Sequence, residues 1–330
     1  MRLSRTLALG ASMLVLFGAC STGGGSSTPT AAAPTATPAA ASSTPASTPT
    51  AAPPTIKIGS AGFYEAKIMA EIYAQALEAH GYTVDRAAIG LGTRPNATNP
   101  ALLSGQIDLE PEYIGSELAS FEPGKQTGDP NANMTELQNV LNTKGGGITA
   151  LTFSPAADQN AFVVRSDTAT SLNLAKMSDT TAVQDQLKWG LATDCKTNPV
   201  CAAALKTAYG LAPKSVTYLS ACDTPMAQAL LAKTIDVGEL CSTQPDIAQN
   251  GWVVLQDDKA TQPADNISPL VRNDYLAKLG DKAGFEAILN AVSAKMDTAT
   301  LAKLNADFTV QKQDIATIAK AWLSQAGLVP

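Results

Sequence analysis

Residues Gly90 to Leu118 read GLGTRPNATNPALLSGQIDLEPEYIGSEL: a glycine turn, a short helix, a short strand, then a loop crowded with acid around one tyrosine. Ile107 and Leu109 alternate with Gln106 and Asp108, the period-two pattern of a buried strand. Pro111 lacks the N–H that a sheet ladder needs, so the chain is expected to leave the sheet at Glu110. That places Glu110, Glu112 and Tyr113 at the carboxyl end of a strand, where open α/β sheets bind ligands, with Ser116 set to cap the next helix. Carboxylates beside an aromatic face suit a small organic cation. An acidic surface loop with Tyr113 packed as its lid fits the same letters.

Upstream, Ile56 and Ile58 alternate in TIKIGS, a strand ended by Gly59 and Ser60. AGFYEAKIMAEIYAQALEAHGY follows as an amphipathic helix, apolar at Ile68, Ile72, Ala76 and Leu77 and stopped by Gly81. TVDRAAIG is the next strand, and together these elements form a βαβαβ unit, the signature of a parallel sheet with covering helices. The turn from Gly59 to Glu65 then lies beside a helix amino terminus, where Ser60 or backbone N–H groups are placed for an anionic ligand group. Phe63 is equally suited to staple that helix to the sheet. Thr93 and Arg94 occupy a turn before a helix, as ligand contacts or, for Arg94, as half of a surface ion pair.

Downstream, residues 133–144 read as a helix and GGGITAL as a strand reaching Thr152. A loop with proline and polar amides, FSPAADQN, leads into the apolar strand Ala161 to Val164 and forms a first crossover. Helix and strand then alternate as far as LQDDK, PADNISPLVRNDYL returns, and residues 278–328 are helical, with caps expected at Asp297 and Asp314. The fold class is therefore α/β, with two lobes joined by two crossings. Lobe 1 comprises residues 55–157 plus 263–330 and lobe 2 residues 158–262. Contacts made by a ligand with both lobes favour closure of such a clamp.

The chain opens MRLSR and continues through an apolar run to Ala19 and Cys20. That run is shorter than the roughly 20 residues of a membrane span and reads as the core of an export signal. Gly18 and Ala19 before Cys20 resemble a lipobox, which makes Cys20 the expected lipid anchor and residues 1–20 the leader. Residues 21–54 are almost wholly Ser, Thr, Ala, Gly and Pro, a composition too poor in apolar surface to fold, so they form a linker. The expected localisation is extracytoplasmic, at the bacterial membrane through the lipid alone, as a monomer.

Lys plus Arg total 23 against 29 Asp plus Glu, a net charge of −6, with no basic cluster, which argues against nucleic acid as a partner. Apart from Cys20, Cys195, Cys201, Cys222 and Cys241 remain, an even number that favours disulfides in an exported protein. Three pairings are possible; we take Cys195 with Cys201, closing CKTNPVC, and Cys222 with Cys241. A metal site would call for histidines, and the chain has only His80. No nucleophile with a base can be assembled, so neither catalysis nor a cofactor is expected.

The runs IKIGS, FYEAKIMAEIYAQALEAHGY and LGTRPNATNPALLSGQIDLEPEYIGSEL resemble the opening lobe of the glycine betaine, choline and carnitine binding proteins of osmoprotectant ABC importers. TPMAQALLAKTIDVGELCSTQPDI, LQDDK, SPLVRNDYL and the closing AWLSQAGL extend the similarity over nearly all of residues 56–328. The resemblance implies a type II periplasmic-binding-protein fold that delivers a quaternary ammonium solute to a membrane permease. It also implies a box of aromatic rings around the trimethylammonium group, and it supports Tyr113 as a cleft wall. Where the family places tyrosines this chain has Gly90 ahead of Thr93, Glu239 and Asp265, and of those positions Phe153 alone stays aromatic. Acidic and amide side chains at Glu110, Glu239, Asp265, Gln159 and Asn160 point to a more polar, hydrogen-bonding cation. An amino acid or polyamine is the alternative ligand. The candidate ligand set is Ser60, Phe63, Tyr64, Thr93, Arg94, Glu110, Tyr113, Phe153, Gln159, Asn160, Glu239 and Asp265.

Overall fold

Among the described residues, ten short strands, separated by helices except at the two crossings and a few loops, pair into two separate five-stranded sheets. The computed structural model describes residues 52–144 and 146–329; the leader, Cys20 and nearly all of the linker lie outside the described residues. The strands are β1 Ile56–Ala61, β2 Val84–Gly92, β3 Leu109–Tyr113, β4 Ile148–Ala150 and β5 Asn160–Val164. They continue with β6 Lys188–Ala192, β7 Ser215–Leu219, β8 Val237–Cys241, β9 Val253–Val254 and β10 Ile267–Arg272. The sheet orders are β2-β1-β3-β10-β4 and β7-β6-β8-β5-β9.

These orders are one plan used twice. In the first sheet β1 runs parallel to β2 and β3, while β10 lies antiparallel to β3 and β4. In the second, β6 runs parallel to β7 and β8, while β5 lies antiparallel to β8 and β9. In each sheet the antiparallel strand is the first one the chain enters after crossing over, so each lobe contains a strand delivered from the other.

The first lobe packs around the helix Tyr64–Ala79, whose Ile68, Met69, Ile72, Tyr73, Ala76 and Leu77 are buried. Its far side meets the carboxyl-terminal helices Lys282–Lys295, Thr298–Thr309 and Ile315–Gln325, and the Tyr73 hydroxyl reaches the Ser293 hydroxyl at 2.9 Å. Asp297 and Asp314 cap the last two of these helices, accepting from the Thr300 and Thr317 N–H groups, as their sequence positions suggest. Trp189 and Phe162, rings 6.2 Å apart, centre the second core. All three tryptophans are buried and none stands free for a ligand to stack on.

The sequence expectation fails at Pro111. The strand does not end at Glu110 but runs on through Pro111 to Tyr113, with Pro111 opposite Pro269 of β10. Two prolines facing each other occupy a pair position that exchanges no N–H···O bonds between β3 and β10, and towards β4 the Leu151 carbonyl opposite Pro269 accepts the Ser268 hydroxyl instead. The continuation turns Glu110 and Glu112 inward instead of delivering them to a loop, and both are buried. Ser116 does not cap the helix Ile114–Phe121 either. It sits within the first turn, and Asp265 from the second crossing accepts its N–H at 2.8 Å and its hydroxyl at 2.5 Å.

The two crossings pair with each other. Ala157 and Asn266 form an antiparallel bridge, and the Asp158 N–H donates to the Asp265 carbonyl at 3.1 Å. The Asn266 side chain donates to the Ser154 carbonyl at 2.9 Å. Gly115 lets this strap lie close to the first lobe, because a Cβ there would sit 2.5 Å from the Ala264 carbonyl oxygen. Gly115→Ala must therefore push the second crossing outward, at a cost of about 1–3 kcal/mol. A melting temperature several degrees below wild type is expected by calorimetry; an unchanged value would show that the strap is not held at Gly115.

Candidate functional site

Where the lobes meet, polar groups gather around Glu65, the second residue of the helix Tyr64–Ala79. The Tyr113 hydroxyl donates to Glu65 Oε1 at 2.6 Å, and Asn305 Nδ2 donates to Oε2 at 2.5 Å. The same Asn305 nitrogen reaches the Thr243 carbonyl of the second lobe at 3.2 Å, and the Thr243 hydroxyl donates to Asp158 Oδ1 at 2.8 Å. Phe63, 43% exposed, lies with its ring centre 5.7 Å from that of Tyr113, so a partly open aromatic pair borders the acids. Tyr64 stacks on Phe308 at 5.8 Å.

Burial raises both the Glu65 and the Asp158 carboxyl above the ordinary carboxylate range, and the negative charge of Glu65 raises Asp158 further. The Tyr64 hydroxyl is pushed up to about 12, first by burial and then by Glu65, Asp158, Asp246 and Asp223. Tyr113 is raised by burial and by the same Glu65 and Asp158 charges. These shifts come first from desolvation, with the charges of neighbouring acids adding to it at Asp158 and the two tyrosines.

Adjoining it is a cavity of about 220 Å³ walled by Ser116, Gln126 and Asp265 of the first lobe and by Asp158, Gln159, Asn160 and Asn198 towards the second. Asp158 belongs to both places: it lines this cavity and acts electrostatically on Tyr64 and Tyr113. Asp265, desolvated, is pushed up from 3.8 to about 6.

Arg94 lies behind this wall with its charge already engaged. Its Nη2 is 2.6 Å from Glu112 Oε2 and its Nε is 3.1 Å from Glu117 Oε2. Glu110 shares this buried layer, its two oxygens without hydrogen-bond partners and its carboxyl raised by burial and by Glu112 and Glu117. Desolvation beside Glu112 lifts Glu117 to about 8, against the pull of Arg94. One arginine thus faces several acids inside the first lobe.

In the second lobe, Glu239 of β8 is buried and accepts the Ala192 N–H at 2.8 Å. Disulfides join Cys195 to Cys201 and Cys222 to Cys241, the expected pairing. The first closes the loop carrying Asn198 and Val200, and the Gln262 side chain of the second crossing donates to the Val200 carbonyl at 2.9 Å. The second ties the loop after β7 to the end of β8, two residues before Thr243.

Of the residues expected from sequence, the structure brings Phe63, Tyr64, Tyr113, Gln159, Asn160 and Asp265 to the interlobe region. It does not bring the others there as ligand groups. Ser60 is fully buried and its Oγ accepts the Gly90 N–H at 2.9 Å, joining β1 to β2. Thr93 precedes a π-type turn, Arg94–Thr98, and Arg94 is spent on Glu112 and Glu117. Glu110 and Glu239 lie inside their lobes, and Phe153 packs against the core of helices 99–104, 114–121 and 130–143. Glu65, Asp158, Thr243 and Asn305 were missed. Glu65 sits among the apolar letters of a helix, and Asn305 comes 240 residues later, so no local pattern joins them.

A family model described as the substrate binding domain of ABC-type glycine betaine transport systems matches residues 54–325. The glycine betaine-binding protein YehZ of Escherichia coli (strain K12) is 28% identical over 282 residues, covering 82% of this chain and 90% of that protein. A glycine-betaine-binding protein of Pseudomonas aeruginosa is 25% identical, covering 83% and 89%. Among solved structures, a glycine betaine/carnitine/choline ABC transporter protein superimposes with a TM-score of 0.75 at 22% identity, over 83% of this chain and 99% of that one.

Two expectations follow from the site's chemistry. Asp265 and Glu117 hold protons more tightly folded than unfolded, so their contribution to stability is present below about pH 4 and lost as pH rises through about 6 and then 8. The unliganded protein should melt at a lower temperature at about pH 8.5 than at about pH 5. A melting temperature that climbs across this window would contradict the assignment. The disulfides close loops of unequal length, with sequence separations of 6 and 19. Loss of the longer, in Cys222→Ser with Cys241→Ser, should cost about 2–4 kcal/mol in urea unfolding, and loss of the shorter should cost less.

Proposed function

The chain belongs to the family of substrate-binding domains of ABC-type glycine betaine transport systems, and on that premise we propose that it captures a small cationic or zwitterionic osmolyte between its lobes. The observation that carries this reading is the interlobe cluster of Glu65, Asp158 and Asp265 beside the Phe63–Tyr113 ring pair. Desolvated carboxylates gain most from a cation placed among them, and ring faces add roughly 0.5–2 kcal/mol to its binding. The ligand residues are Phe63, Tyr64, Glu65, Tyr113, Asp158, Gln159, Asn160 and Asp265. Ser60, Thr93, Arg94, Glu110, Phe153 and Glu239 form the frame behind them.

The Asn305 bridge between Glu65 and the Thr243 carbonyl joins the same cluster to both lobes. A ligand neutralising Glu65 and Asp158 therefore acts on the contact that holds the lobes together, and the closed form is what a permease reads. Division at residues 158 and 263 makes the lobes the two jaws. No described helix is long and apolar enough to cross a membrane. Substrate-binding proteins of ABC importers work outside the cytoplasm; a lipid on Cys20 would keep this one, as a monomer, beside its permease. Transport, not catalysis, is the activity.

Isothermal titration with glycine betaine, choline and carnitine tests the reading. At least one should bind at about pH 7.5, and Asp158→Asn should weaken it by about tenfold or more. Because Asp265 ionises near 6 and Glu65 and Asp158 are also raised, affinity should fall on the order of tenfold between about pH 7.5 and 5. Failure of all three to bind, with the protein folded, would remove the proposal.

A further inference from the structure

Inside the second lobe a carboxylate faces a disulfide, and we infer that Cys195, Cys201 and Glu239 form a metal site when that disulfide is reduced. The site takes one thiophilic divalent cation of the Zn²⁺ class, whatever the cleft between the lobes binds.

One ligand atom from each of the three residues lies within 4.8 Å of the other two, and among the described residues no other set of His, Cys, Asp or Glu converges in this way. All three residues are buried. Glu239 Oε2 lies 3.4 Å from Cys201 Sγ, close to the roughly 3.6 Å that separates a sulfur from an oxygen ligand on a tetrahedral zinc. The Ala192 N–H donates to that oxygen at 2.8 Å, an outer contact of the kind that orients a ligating carboxylate. Glu239 Oε1 is buried without a hydrogen-bond partner, and a bound cation supplies one.

The backbone keeps the two cysteines together without the S–S bond. The Cys195 N–H donates to the Ala192 carbonyl at 3.0 Å, the Cys201 N–H to the Asn198 carbonyl at 3.1 Å, and the Ala202 N–H to the Cys195 carbonyl at 3.2 Å. After reduction the sulfurs need to part only to about 3.8 Å, the spacing of two thiolates on one zinc. Cys222 and Cys241 differ, since among the described residues no third donor joins them.

An external dithiol supplies two electrons and two protons, closing to its own disulfide as Cys195 and Cys201 become thiols. The cation displaces both thiol protons to solvent, bonds the two thiolates and a Glu239 oxygen, and leaves a fourth position to water. Thiolate ligands favour such a cation over Mg²⁺ or Ca²⁺. The segment it closes carries Asn198 and Val200 to the cavity wall, so S–S and S–metal–S are alternative clasps for that wall.

Cys20→Ser with Cys222→Ser and Cys241→Ser leaves the full chain a single cysteine pair. After reduction by a phosphine, with two free thiols confirmed by thiol titration, Cd²⁺ should raise a thiolate-to-metal charge-transfer band that saturates at one equivalent. Zn²⁺, followed by competition with a chromophoric chelator, should bind about tenfold or more weakly once Glu239→Gln is added. The oxidised chain should bind neither metal. If Glu239→Gln does not fold, X-ray absorption of the Zn²⁺-loaded parent decides, with two sulfur ligands and the rest oxygen expected. A disulfide that resists the phosphine, an absent band, an affinity indifferent to Glu239→Gln or a shell with fewer than two sulfurs overturns the inference.

Discussion

Everything in this molecule hangs on the pairing of its two crossings. Because Ala157 bridges Asn266 and the Asp158 N–H bonds the Asp265 carbonyl, the strands entering the two lobes are held side by side at their starts. β5 and β10 then lie antiparallel to their neighbours, and each sheet acquires the same order from unrelated letters. The strap also brings two carboxylates, Asp158 and Asp265, to the mouth of the cleft. Topology and charge have one origin, since the residues that cross over are the residues that line the opening.

Among the described residues, the cavity at the cleft is lined by acids and amides and by no basic side chain. The arginine in the layer behind it is held by Glu112 and Glu117, and Glu110 shares that buried layer. Inside a protein such groups are tolerated chiefly by taking up protons, and the direction of every shift in the layer agrees with that. Glu65 differs in kind. Its oxygens are bonded by Tyr113 and Asn305, so it is placed with both rotamer and orientation fixed. Pre-placed charge of this sort favours binding because little ordering remains to be done when a ligand arrives.

The second lobe adds covalent bracing to its short helices. The segments after β6 and β7 are each closed or tied by a disulfide, and the first carries Asn198 and Val200 to the cavity wall. Rigidity there comes from covalent closure, whereas the first lobe obtains it from three packed carboxyl-terminal helices. The asymmetry fits a clamp in which one jaw is a broad frame and the other a small braced face.

Local patterning in the sequence determined the α/β class, the repeated βαβ units and the helix caps at Asp297 and Asp314, since each depends on neighbours within a few residues. The pairing of four cysteines was also legible, helped by the closeness of Cys195 and Cys201. Only the tertiary structure decided which way the acids face. Pro111 reads as a strand end until Pro269 is seen opposite it, and that register, set by residues some 150 positions apart, turns Glu110 inward. The interlobe hydrogen-bond cluster was hidden for the same reason: Glu65, Asp158, Thr243 and Asn305 belong to separate segments, and the bonds that join them form only between folded lobes.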